Sequence, residues 1–139
     1  MIHITVHDGV VAVLDKLHDT YGKSDIQTIR GGTQVGLKGC PYREVTDLIT
    51  SIEKMVGKIS EAWSIRMTNG GHHVDHNHPD GKLSGVYYLR TGKGGNLKLG
   101  DRLIVPEPGM LVLFPSWMIH GTTTYEGDEP RLTVAFDIT

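Results

Sequence analysis

From Trp63 to its end the chain breaks into short apolar runs cut by glycine and proline, and that rhythm restricts the folds open to it. Trp63–Met67 alternates, and Asn69-Gly70-Gly71 is a turn or bulge. Leu83–Leu89 (LSGVYYL) is apolar and aromatic, and Gly92-Lys93-Gly94-Gly95 leads into Asn96–Leu99. Pro106-Glu107-Pro108-Gly109 precedes Met110–Phe114, which Pro115 stops, and Glu126–Pro130 turns the chain into Arg131–Ile138. Runs of this kind between turn residues read as strands. Roughly six of them predict a double-sheet jelly roll or small barrel.

The first part differs in texture. Ile2, Ile4 and Val6 alternate as a short strand. Val10, Val11, Val13, Leu14 and Leu17 then suit one helical face, with Asp8 as N-cap. A firmer helix is predicted over about Tyr42 to Gly57, where Val45, Leu48, Ile49, Ile52, Met55 and Val56 form a stripe. The expectation is one domain over 1–139, with a helical part (1–60) covering an outer face of a β core (61–139).

Bulk properties exclude some classes. The net charge of -2, from 14 basic and 16 acidic residues, leaves no polycationic footprint and disfavours nucleic acid as partner. No run approaches the ~20 apolar residues of a membrane span, and no signal-like pattern opens the chain. The single Cys40, in a Gly39/Pro41 turn, cannot form an internal disulfide, so a cytoplasmic home is expected.

Chemistry concentrates in a knot of histidines, His72-His73-Val74-Asp75-His76-Asn77-His78-Pro79, followed by a lone His120 and then Arg131. Ligands at i, i+2 on one strand, a distant His on another, and an Arg shortly after suit a mononuclear metal that binds an acidic cosubstrate. Imidazole and carboxylate are the ligands of open-sided iron triads. His3, His7 and His18, in the first part, read as ordinary surface or strand residues.

The segments HNHPDGKLSGVYYL (76–89), GGNLKL (94–99), PGMLVLFPSWMIHG (108–121) and RLTVAFDI (131–138) together resemble the Fe(II)/2-oxoglutarate-dependent oxygenases. The likeness is to a small bacterial and phage branch with HxHP, LSGVYYL, FPSWxxH and a terminal Arg strand. It implies a double-stranded β-helix with Fe(II) between its sheets and 2-oxoglutarate as cosubstrate. By that resemblance His120 is the distal metal ligand, against the plain alternative of an exposed turn histidine. Arg131 grips the distal carboxylate of 2-oxoglutarate, helped by Thr133, because a guanidinium fork meets a carboxylate bidentately. Tyr88 resembles a second carboxylate partner, with a purely packed aromatic as the equal alternative.

The proximal ligands are open between two pairs, His76/His78 and His73/Asp75. On one unbroken strand these pairs face opposite ways. His73/Asp75 matches the superfamily's HxD and shares parity with Trp63, Ile65 and Met67; His76/His78 matches HxHP, if a bulge at Gly70-Gly71 reverses the parity. Three neutral imidazoles would leave the ion its two charges and would also suit Zn(II). Imidazole binds metal only when neutral, so affinity is expected to fall as pH drops through about 6.

Two other functions compete with a dioxygenase that hydroxylates an unknown substrate. One is a cupin-like metalloprotein with a three-His site and no 2-oxoglutarate; the other is a non-catalytic structural β-domain. The substrate is unread: a protein side chain, a peptide or a small metabolite all fit. Gly22–Gly36, Gly92–Gly95 and Thr122–Pro130 are expected to shape its pocket. The sheet edges of such a fold leave a homodimer open.

Overall fold

The computed structural model describes residues 2–78 and 83–138; the motif residue Pro79 and the residues 80–82 lie outside these. The elements are β1 (Ile2–His3), α1 (Asp8–Tyr21), β2 (Lys23–Ser24), β3 (Ile29–Gly36), α2 (Arg43–Val56), β4 (Glu61–His73), β5 (Leu83–Arg90), β6 (Leu97–Leu99), β7 (Arg102–Ile104), β8 (Met110–Pro115), β9 (His120–Thr122) and β10 (Arg131–Ile138). They form two antiparallel sheets, ordered β1-β8-β5-β10-β4-β3-β2 and β7-β6-β9. The fold is mainly β, a jelly roll of the double-stranded β-helix kind, with both helices on the outer face of the large sheet.

Alternation along the strands makes the layers. Leu132, Val134 and Phe136 of β10 join Tyr87, Leu89 and Leu111 under Val10, Leu14 and Leu17 of α1 and Val45, Leu48 and Ile52 of α2. Both helical triplets fall at helical spacing, so each helix buries one stripe. Tyr88, Met110, Val112 and Phe114 point the other way and meet Leu97 and Leu99 of the small sheet. LSGVYYL is largely apolar because β5 is buried on both faces.

Four expectations need correction. The glycine-rich stretch 22–36, expected to be a pocket-shaping loop, is strand over much of its length: β3 pairs with β4 from Ile29↔His73 to Gly36↔Trp63. Its glycines allow close backbone approach inside the sheet. Met55 is exposed rather than part of the buried stripe, and Asp8 is the first helical residue, with His7 at the cap position. His18 is no surface residue. It is buried, with Nδ1 2.7 Å from Thr33 Oγ1 and Nε2 2.9 Å from Ser64 Oγ, and Ser64 donates onward to the Thr133 carbonyl.

Burial, reinforced by the Arg66 charge, pushes His18 from 6.5 down to about 4. Between those values the unfolded chain takes up a proton that the folded chain refuses. Its contribution to stability is therefore complete above pH 6.5 and is lost as pH falls through about 4. The loss is on the order of 3 kcal/mol. Denaturant unfolding at pH 7 and pH 4.5 should show a steeper loss in the native sequence than in His18→Gln; parallel losses would contradict this account.

Candidate functional site

After β4 the chain crosses to the small sheet. His76 forms an antiparallel bridge with His120, each backbone N–H donating to the other's carbonyl at 2.8 Å, and His78 N–H donates to Ser116 O at 2.8 Å. Residues 76–78 thus run beside 116–120 and extend the sheet past β9. Positions i and i+2 of a strand share a face, and a mutually hydrogen-bonded cross-strand pair lies about 5.5 Å apart at Cα. Three imidazoles consequently converge. One ring nitrogen of each of His76, His78 and His120 lies within 4.8 Å of the others, and the His76 and His120 ring centroids are 4.2 Å apart. Met118 N–H donates to Pro115 O in the turn that delivers His120 to the start of β9.

The outer ring nitrogens are occupied. His76 Nδ1 lies 2.7 Å from Val74 O and His120 Nδ1 2.9 Å from Met118 O. A carbonyl only accepts, so both Nδ1 atoms carry the hydrogen and each Nε2 keeps its lone pair. His78 Nδ1 is 3.3 Å from Asp137 Oδ1. Burial pushes His120 down to about 4 and also lowers His76, each against the upward pull of its backbone hydrogen bond. These two rings present neutral donors at physiological pH.

The other pair does not assemble here. Asp75 turns to the outer face, where its carboxylate pairs with Lys98 Nζ at 2.9 Å. It lies across Gly121, where any Cβ would run into that carboxylate. His73 does face the cavity, hydrogen-bonded to Thr28 Oγ1 at 3.1 Å and pushed down to about 3 by burial, with the Arg131 charge adding to the shift. Its ring centroid is 5.9 Å from that of His76. The Gly70-Gly71 irregularity exists, since the register slips from Arg30↔His72 to Gly32↔Met67. It does not reverse the alternation, however: Trp63, Ile65 and His73 line the cavity as odd positions, and His76 and His78 do so as even ones. The change falls at Val74-Asp75, where the chain leaves β4.

The same cavity, about 240 Å³, is lined by Arg131, Thr133 and Tyr88. Arg131 is 2 % exposed, and among the described residues its Nε has no hydrogen-bond partner; nor has the buried Tyr88 hydroxyl. The guanidinium carbon lies 5.3 Å from the Tyr88 ring centroid, so Tyr88 is both packing partner and polar lining. Burial lowers the Arg131 pKa, and the groups that offset this are Tyr88 and Tyr125, not a carboxylate. Gly95 closes over the side chain: a Cβ there would come within 2.9 Å of Arg131 Cδ.

Of two segments expected to shape a substrate pocket, Thr122 does line the cavity, while the rest has another task. Gly92, Gly95 and Gly127 pack on the ring of Tyr125, whose backbone bonds to Gly70 and Gly71. Loops 92–95 and 122–130 therefore brace the Arg131 side of the sandwich. Asp137 and Ser84 line the cavity, with Ser116 hydrogen-bonded to Ser84, and sequence reasoning missed all three. For Asp137 a signal existed, since it shares strand parity with Arg131 and Thr133.

Residues 61–104 and 98–137 match the model of the family described as "Putative 2OG-Fe(II) oxygenase". The chain belongs to this 2OG-Fe(II) oxygenase family. No curated protein matches the chain in sequence. Its structure is similar to a prolyl-4-hydroxylase of Pseudomonas putida (TM-score 0.78, 18% identity, covering 99% of this chain and 89% of that one). It is also similar to the viral collagen prolyl hydroxylase of Paramecium bursaria Chlorella virus-1, solved as a 2OG complex (TM-score 0.70, 11% identity, 94% and 87% covered). A cupin-2 domain protein of Rhodospirillum rubrum is further off (TM-score 0.55, 20% identity, 83% and 64% covered). At such identities the likeness speaks for the fold.

In metal-free protein the His120 ring should titrate near 4 rather than 6.5, so proton competition with a metal sets in lower than the reference imidazole predicts. An NMR titration checks this; a midpoint near 6.5 would mean the ring is solvated.

Proposed function

We propose that the protein is a non-haem Fe(II)- and 2-oxoglutarate-dependent dioxygenase, a hydroxylase acting on a C–H bond of a protein side chain, peptide or small metabolite. The observation that carries this reading is Arg131, a buried guanidinium whose Nε is unpartnered among the described residues, in one cavity with three converging imidazoles. The opposite face of the same sheet supplies a contrast. There Arg90 is held by Asp15 through two bonds of 2.9 Å, and Arg66 meets Asp15 and Asp19. A buried charge without a partner is costly, so Arg131 is best understood as waiting for an anion.

His76, His78 and His120 would hold the metal. Arg131 would take the distal carboxylate of 2-oxoglutarate as a planar fork, with the Tyr88 and Thr133 hydroxyls beside it. The metal and cosubstrate supply the oxidising chemistry, in which 2-oxoglutarate and O2 become succinate and CO2 as the substrate gains a hydroxyl. The chain's own part is to bind, orient and keep the cavity dry. Phe114, whose ring centroid is 4.5 Å from that of His120, and buried Tyr88 form apolar walls that exclude water.

A second reading has one observation in its favour: three imidazoles without a carboxylate ligand also suit a cupin-like metalloprotein without 2-oxoglutarate. That reading leaves Arg131 without a use. The structural β-domain reading leaves both features without one.

Iron-loaded protein should release succinate from 2-oxoglutarate. Arg131→Ala should weaken 2-oxoglutarate binding by about 30-fold to several thousand-fold, the equivalent of about 2–5 kcal/mol, with metal affinity retained. Calorimetry with Mn(II) as a redox-silent ion measures both. Unchanged cosubstrate affinity in the variant would favour the cupin reading, and metal content insensitive to His120→Ala would favour the structural one.

A further inference from the structure

His78 differs from the other two clustered imidazoles in what stands behind it. Val74 and Met118 carbonyls back His76 and His120, whereas His78 Nδ1 faces the Asp137 carboxylate at 3.3 Å. That carboxylate is itself held. Ser84 Oγ donates to the same Oδ1 at 2.7 Å and meets Ser116 Oγ at 2.9 Å, both serines being buried. Ser116 also accepts the backbone N–H of His78. Asp137 arrives by strand parity, on the same face of β10 as Arg131, Thr133 and Ala135. Among the described residues lining the cavity it is the one acid.

We infer that Asp137 is a positioning residue that delivers, through His78, the negative charge a carboxylate ligand would otherwise bring to a divalent ion held by the three imidazoles. This rests on the metal reading above. A carboxylate accepting the outer N–H of a ligating imidazole fixes the ring's orientation and raises the basicity of its inner nitrogen. A backbone carbonyl fixes orientation with less charge. Asp75 cannot serve, being paired with Lys98 on the outer face. An ion held by these imidazoles would have its charge partly balanced from behind by Asp137, with Arg131 left for the diacid.

The test uses the full chain with Co(II) as probe and Asp137→Asn, which keeps an acceptor for Ser84 and removes only the charge. Co(II) affinity should fall about 10- to 100-fold, with the melting temperature of the metal-free protein unchanged. The Fe(III)/Fe(II) midpoint potential should rise, since removing a nearby negative charge favours the less charged ion. Ser84→Ala, which frees the carboxylate but keeps its charge, should weaken Co(II) by a smaller factor and keeps the proposal testable should Asp137→Asn fail to fold. Co(II) affinity within about twofold of the native protein in both variants, or a potential that falls, overturns the inference alone. Native protein that binds no Co(II), or binds it equally after His120→Ala, overturns the metal reading and this inference together.

Discussion

The double-sided burial of β10 is the constraint on which the rest of the molecule depends. The strand lies between β5 and β4 in the large sheet, so both its edges are paired, while the helices cover one face and the cavity the other. Leu132, Val134 and Phe136 have helices to bury against, and Arg131, Thr133, Ala135 and Asp137 are turned into the cavity in consequence. A slip of one residue would exchange the two sets. It would put a guanidinium into an apolar layer and three apolar side chains into the site. The two helices thus contribute to function through register: their stripes lock the strand that carries the charged groups.

The distribution of charge across that sheet follows the same logic. On the helix side Asp15 binds Arg90 and Arg66, and the charges are matched. On the cavity side Arg131 lies over the ring of Tyr88 with Gly95 pressed against its stem, and the groups that offset its burial are Tyr88 and Tyr125 rather than a carboxylate. The imidazoles nearby are kept uncharged by burial, with His120 near 4 and His73 near 3. The cavity is consequently lined by lone pairs at one group of residues and by a fixed positive charge at another. That pairing suits a cation and a dianion bound together, the combination expected of this family's chemistry. Among the described lining residues Asp137 adds the one negative charge, set against the His78 ring.

Much of the fold was legible from local pattern. Strand–turn rhythm after Trp63 and the stripe of α2 reflect period-two and period-3.6 burial, which neighbours in sequence report directly. The stretch from Gly22 to Gly36 was not legible, because its glycines signal a loop locally and become close-packed strand only against β4. His18 was misread for a similar reason: its partners Thr33 and Ser64 come from two other strands.

Sequence alone determined the inventory of the site: paired histidines at i, i+2, a lone His120 after a proline turn, and an Arg opening the last strand. Those features are local, set by side-chain chemistry and strand period. Which pair converges on His120 was decided only by the tertiary structure. Crossing from β4 to the small sheet reverses the alternation at Val74-Asp75, and the bridge to His120 then selects which faces meet. Periodicity within one strand cannot report a change of sheet, because the partner that defines the new face lies some forty residues away, at His120.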